Sequence, residues 1–242
     1  MKRKVYIIKG LSKTKEELQT DEYYCNSYTE FFHKNAGGAY ELEDIHYLSE
    51  PTSDNLNKSL REEELDYGII VFIGHGATKD NKQLFQLNDN EIIQAGQFTL
   101  NSPKQIVIVE SCRTQIGKIL VVDLKDYVPK FKNGGVVRHP LKRDIAKDVY
   151  DCHIRRCKDG IIVCFACSDG YSAYNYYFSK LLLTNAINWY LETDRHCAML
   201  PIDEVFGLTF FHTMQVSKDK IGVEQRPSRL NSFDFPFAVS RF

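Results

Sequence analysis

The chain has 242 residues, of which 43% are hydrophobic, and its 31 basic and 32 acidic residues leave a formal net charge of −1. This length is sufficient for one large domain with its own core. The balanced charge argues against a nucleic-acid or anionic-membrane partner. The cysteines are odd in number and irregularly spaced, and the basic start is followed by a short apolar run, residues 5–8. These features favour a reduced, cytoplasmic compartment over secretion.

The hydrophobic pattern predicts strands that alternate with helices. The predicted strands cover residues 5–8, 45–48, 69–73, 106–112, 161–167 and 235–239. The predicted helices cover about residues 21–33, 51–64, 176–190 and 201–216. A polar stretch at residues 79–96 contains a short alternation at 84–87, which predicts a hairpin. This order of elements predicts an α/β sandwich around a mostly parallel sheet of about six strands.

Two of the predicted strands end in reactive side chains. Residues 69–73 lead into Gly74-His75-Gly76, and residues 106–109 lead into Glu110-Ser111-Cys112-Arg113. Continuous β-branched runs of this kind are typical of buried parallel strands, whose carboxyl ends lie at one edge of the sheet. A thiol and an imidazole brought to the same edge can act as a nucleophile and its base.

These two segments resemble those of the caspase-like cysteine proteases, the group that includes caspases, metacaspases and bacterial caspase-family proteins. Further similar segments occur in the order typical of the bacterial members, at residues 37–40, 66–67, 151–160, 165–168, 225–227 and 235–237. The resemblance therefore covers nearly the whole chain. It implies a caspase-like three-layer sandwich and a single peptidase domain over residues 1–242, with an irregular linker at about 118–142.

The resemblance implies a role for each residue of the two motifs. Cys112 is expected to be the nucleophile, and His75 the base and later the acid. The backbone N–H groups of Gly76 and Cys112 are expected to form the oxyanion hole. We expect an adjacent imidazolium to lower the pKa of the thiol. In the alternative interpretation, Cys112 is a buried structural cysteine in a catalytically idle domain that serves as an interaction or regulatory module.

The residue two positions before the nucleophile faces the substrate's P1 side chain in this family, and here it is Glu110. Family members with glutamine there cut after aspartate, whereas metacaspases have aspartate and cut after arginine or lysine. A carboxylate ~4 Å from an acidic P1 side chain would repel it by about 4 kcal/mol at an effective dielectric near 20. Asp169 is expected to supply a second acid to the P1 pocket, which predicts cleavage after Arg or Lys. Alternatively, Glu110 pairs with Arg113 or another internal cation, and Asp169 is a turn residue.

The linker has two interpretations. Residues 118–142 contain Asn133-Gly134-Gly135 and several basic side chains, as an exposed connection would. The same basic residues would also suit a segment that the enzyme cuts itself. Together with residues 79–96, this stretch is a candidate for a mobile gate beside the site.

No metal or other cofactor is predicted. Cys164 and Cys167 would point to opposite faces of a strand, and four convergent ligands at the usual spacings are absent from the sequence. The expected partner is a protein or peptide substrate with a basic P1 residue. The resemblance also implies an activating partner or small-molecule signal, and a place in a bacterial stress or antiviral defence pathway.

Overall fold

The structure of the protein is a computed structural model that describes residues 1–80, 82–113, 140–174 and 176–242. In these ranges five α-helices and eleven β-strands are found. The helices are α1 (Lys15–His33), α2 (Ser53–Arg61), α3 (Arg143–Arg156), α4 (Tyr177–Glu192) and α5 (Ile202–Ile221). The strands are β1 (Arg3–Lys9), β2 (Ile45–Ser49), β3 (Tyr67–Ile73), β4 (Gly76–Lys79), β5 (Lys82–Gln86), β6 (Ile92–Gln94), β7 (Lys104–Glu110), β8 (Gly160–Phe165), β9 (Met199–Pro201), β10 (Ser228–Leu230) and β11 (Pro236–Val239).

The central sheet has six strands in the order β10-β8-β7-β3-β1-β2. Five of them are parallel to their neighbours, and β10 runs antiparallel to β8 at one edge. The predicted α/β class with a mostly parallel six-stranded sheet is therefore confirmed. The strand predicted at the carboxyl end does not belong to this sheet, because β11 pairs with β9 in a separate two-stranded sheet.

The side chains of each central strand alternate between two apolar layers. On β1, Val5 and Ile7 pack on the side of α1, α3, α4 and α5, whereas Tyr6 and Ile8 pack on the side of α2 and the β4–β6 sheet. This alternation follows from the two-residue period of a strand. The sheet is thus buried on both faces, as the continuous apolar runs in its strands predicted.

Two predictions about the helices differ from the structure. Helix α1 begins at Lys15, earlier than predicted, because Thr14 caps it and accepts a hydrogen bond from the Glu17 backbone N–H. Helix α3 was not predicted at all. Its buried positions Ala146, Tyr150 and Ile154 are separated by charged residues, which weakens the apolar pattern.

Of the two stretches predicted as candidate gates, the structure describes most of residues 79–96. Residues 79–96 include β5 and β6, which form an antiparallel three-stranded sheet with β4. Most of the predicted linker at 118–142 lies outside the described residues, which resume at Pro140. No helix in the described ranges is both long and apolar enough to span a bilayer.

Candidate active site

The site lies at the carboxyl ends of β3 and β7, which are adjacent and parallel. Ile73 of β3 is opposite Glu110 of β7, and the backbone N–H of Gly74 donates to the Glu110 carbonyl oxygen at 3.2 Å. The two segments that follow, with His75 and Cys112, therefore leave the sheet side by side. The fold thus brings the two predicted reactive motifs to one edge.

Gly76 makes the closest approach between the two motifs. A Cβ atom at Gly76 would lie 2.7 Å from Ser111 Oγ and 2.8 Å from the Cys112 carbonyl oxygen. Only a residue without a side chain allows the backbones to come this near. Within the β4–β5 pair the His75 carbonyl accepts from Gln86 N–H, so the Gly76 N–H points away from β5.

Cys112 is half-buried, and its thiol donates a hydrogen bond to the carbonyl oxygen of Ala173 at 3.5 Å. Its own carbonyl accepts from Gln83 Nε2 at 3.2 Å, and this bond links the Cys112 segment to β5. Burial raises the pKa of the Cys112 thiol, and the nearby carboxyl of Glu110 raises it further. Both effects favour the thiol over the thiolate form of Cys112.

His75 contacts a carboxylate. Its Nε2 lies 3.3 Å from Glu17 Oε2, and each of these two side chains is 35% exposed. Among the described residues no hydrogen bond joins the His75 ring to the Cys112 sulfur. The expected lowering of the thiol pKa is not found, because the burial of Cys112 dominates and the ring is bonded to Glu17.

Glu110 points to the same face of the sheet as Ile106 and Ile108, the face that packs against α1, α3, α4 and α5. Its side chain is buried, and Oε2 accepts from the backbone N–H of Ser179 in the first turn of α4 at 2.7 Å. Its other oxygen, Oε1, is buried without a hydrogen-bond partner among the described residues. Burial raises the pKa of Glu110 to about 7, and the nearby carboxyl of Asp21 acts in the same direction.

Asp169 is in a different environment from Glu110. It is 72% exposed and forms an ion pair with Arg113. The same guanidinium also bonds to Gln83 and Ser228 and stacks over the ring of Phe165. The structure therefore does not pair Glu110 with Arg113, and it gives the two predicted pocket acids separate partners.

Three residues near the site were not identified from the sequence. They are Glu17 and Asp21 of α1, and Tyr176 just before α4, whose hydroxyl donates to Asp21 at 2.5 Å. The capping sequence Thr14-x-x-Glu17 was a usable signal for the start of α1, but it did not indicate proximity to His75. In the described residues, no group of three or more metal-ligating side chains is arranged to hold a metal ion.

Comparisons with known proteins agree with this architecture. The chain has the fold of caspase-1 from Spodoptera frugiperda (TM-score 0.55, 11% identity, covering 95% of this chain and 86% of that one). It has a similar likeness to the Drosophila initiator caspase Dronc (TM-score 0.55, 12% identity, covering 98% and 81%). No curated protein sequence matches the chain.

The family comparison covers both reactive motifs and most of the sheet that brings them together. A model of the caspase domain matches residues 10–228, which include every predicted site residue. The chain therefore belongs to the caspase family, a family of cysteine proteases.

Proposed function

We propose that the protein is a cysteine endopeptidase in which Cys112 is the nucleophile and His75 the base. The observation that carries the proposal is the close contact of Gly76 with Ser111 and Cys112, which places the histidine motif against the cysteine motif. Membership of the caspase family supports the same chemistry.

The reaction begins from a protonated thiol. The Cys112 sulfur attacks the carbonyl carbon of the scissile bond while its proton passes to the imidazole of His75. The carbon–nitrogen bond then breaks, the imidazolium returns the proton to the leaving amine, and water hydrolyses the thioester. Among the described residues no hydrogen bond from the Cys112 N–H is found, and the Gly76 N–H points away from β5, so both are expected to hold the oxyanion. Loss of one such donor typically lowers the rate ~10²–10³-fold.

Glu110 is proposed to select a basic P1 side chain. A buried carboxylate oxygen without a partner is costly, and an arginine or lysine of the substrate would supply the missing donor. Binding of that cation would also favour the ionised form of Glu110, whose pKa burial raises to about 7. An acidic P1 side chain offers no comparable gain.

Asp169 is assigned a smaller part in this pocket. Its charge is already compensated by Arg113, and most of its surface faces solvent. It would act on the substrate only after leaving that ion pair, so we expect Glu110 to carry most of the P1 preference.

Three further features stay predictions. They are self-cleavage within residues 118–142, activation by a partner or small molecule, and a place in stress or antiviral defence. All three derive from the resemblance stated above.

The proposal is tested with paired peptides that differ only in P1, arginine against citrulline, its uncharged isostere. The wild type should prefer arginine, and the ratio of the two kcat/KM values should rise between about pH 6 and 8 as Glu110 ionises. Because both peptides use the same dyad, the ratio cancels the ionisation of Cys112 and His75. Glu110→Gln should bring the ratio close to one, whereas Asp169→Asn should leave most of it.

Two outcomes would contradict the proposal in different ways. If citrulline or aspartate peptides are cut as fast as arginine peptides, the P1 assignment is wrong. If the wild type is no more active than Cys112→Ala on any peptide, the protein is instead an idle caspase-family domain that serves as an interaction module.

A further inference from the structure

We propose that Glu17 is a positioning residue for His75, which fixes the tautomer and orientation of the imidazole. This inference rests on the proposed function and adds a third residue to the predicted pair. It is carried by the contact between Glu17 Oε2 and His75 Nε2 at 3.3 Å.

Glu17 is itself held in place by the start of α1. The Thr14 hydroxyl accepts from the Glu17 backbone N–H at 3.1 Å, and Glu17 Oε2 accepts from the Lys13 backbone N–H at 2.7 Å. The second of these bonds reaches the backbone of Lys13, one residue before the Thr14 N-cap, and it limits the rotamers of the glutamate side chain. The carboxylate that contacts His75 therefore belongs to a side chain that is held at the start of a nineteen-residue helix.

The other acid on this face of α1, Asp21, forms hydrogen bonds with residues other than His75. Asp21, one helical turn after Glu17, accepts hydrogen bonds from the Ser12 hydroxyl at 2.7 Å and from the Tyr176 hydroxyl at 2.5 Å. Burial raises the pKa of Asp21, whereas its hydrogen bonds act in the opposite direction. Among the described residues only Glu17 bonds to the imidazole of His75.

The contact determines which ring nitrogen can react. A carboxylate oxygen accepts a hydrogen bond, so it favours the neutral tautomer of His75 with the proton on Nε2. Nδ1 then carries the lone pair, and no described residue bonds to it. The Cys112 proton would pass to Nδ1 during attack and from Nδ1 to the leaving amine, while Glu17 stabilises the intervening imidazolium.

The variants Glu17→Gln and Glu17→Ala test the proposal against Glu16→Gln. Glutamine retains an acceptor for the Lys13 N–H, so the helix start is kept while the charge is lost. Glu16 is exposed and lies in the same first turn of α1. Glu16→Gln therefore removes an equal charge from a side chain that does not contact His75. We expect both Glu17 variants to lower kcat on an arginine peptide by about 10–100-fold with KM within about twofold. Glu16→Gln should change neither by more than about twofold.

A second measurement does not depend on activity. Long-range proton–nitrogen spectra of ¹⁵N-labelled protein, with His75 assigned by His75→Gln, report the tautomer at a pH where the ring is neutral. The wild type should show the proton on Nε2, and Glu17→Ala should show a mixture of tautomers. Thermal unfolding of each variant verifies that the fold is retained.

Three results would overturn the proposal. They are an unchanged kcat in both Glu17 variants, equal losses in the Glu16 and Glu17 variants, or an unchanged tautomer in Glu17→Ala. If the wild type is as inactive as Cys112→Ala, the proposed function itself fails, and the tautomer comparison still decides the role of Glu17.

Discussion

Glu110 is the residue whose chemistry depends most on its surroundings. The residue is only 3% exposed; one carboxyl oxygen accepts from the Ser179 N–H, and the other has no described partner. Burial disfavours the charged form and raises the pKa to about 7, from a usual value of 4.5. Near neutral pH, both the neutral and the ionised form of the Glu110 carboxyl are therefore accessible.

Glu110→Gln should be more stable than the wild type at high pH, and this difference in the free energy of unfolding should shrink at low pH. A carboxyl whose folded pKa is raised favours folding below its unfolded pKa, and this contribution is lost as pH rises through about 7. Between pH 5 and 8 the variant should therefore gain stability over the wild type by up to about 3 kcal/mol. Urea unfolding at both pH values measures the difference, with the exposed Asp169→Asn as a control. A gap between wild type and variant that does not change with pH would refute the assignment.

At the scale of elements, the site depends on how closely β4 approaches the turn after β7. Gly76 begins β4 and contacts the turn directly, whereas Gln83 of β5 bonds to the Cys112 carbonyl. The small β4–β6 sheet thus supports the Cys112 segment from the side of the central sheet opposite α1, α3, α4 and α5. Gly76, the first residue of this small sheet, has no space for a side chain.

Gly76→Ala should damage the site because its Cβ would overlap Ser111 and Cys112. We expect an overpacking cost of about 1–3 kcal/mol in the free energy of unfolding, and at least a ~10-fold fall in kcat/KM as β4 shifts. Gly96→Ala is the matched control, because a Cβ there meets no heavy atom within 4 Å. Urea unfolding and peptide hydrolysis measure both effects. Equal behaviour of the two variants would mean that the close approach has no functional role.

At the scale of the whole molecule, strand pairing and buried contacts join the parts before and after the predicted linker. Strand β7 pairs with β8 over six residue pairs. Arg3 of β1 forms a buried ion pair with Asp151 of α3 at 3.0 Å, and the Tyr67 and Tyr150 hydroxyls both donate to the Pro236 carbonyl. The two parts therefore share the sheet and the core.

A cut within residues 118–142 should leave both fragments associated. The shared sheet and the buried Arg3–Asp151 pair would hold them together without the covalent link. A site for a specific protease inserted in this segment of Cys112→Ala tests this without self-cleavage. After cutting, two bands should appear on a denaturing gel. Size-exclusion chromatography under native conditions should still give a single peak at the elution volume of the uncut 28.0 kDa chain. Separate native peaks would contradict the expectation.

The sequence alone was sufficient for the five parallel strands of the central sheet and for the two motifs. Long apolar runs such as residues 69–73 and 106–109 predicted buried parallel strands, and parallel strands bring their carboxyl ends to one edge. Short or weakly patterned elements were missed. Strand β10 has three residues and helix α3 mixes charged and apolar positions, so neither has a clear period.

What the sequence by itself determined about this protein was therefore its α/β class, its family resemblance and the neighbouring positions of the His75 and Cys112 motifs. Only the tertiary structure decided that Glu17 contacts His75, that Asp169 pairs with Arg113 and that Glu110 keeps a buried oxygen without a described partner. Strand patterns depend on residues a few positions apart along the chain. Hydrogen bonds and ion pairs between side chains depend on how helices and loops that are distant in sequence pack together. The local periodicity of the sequence does not predict that packing.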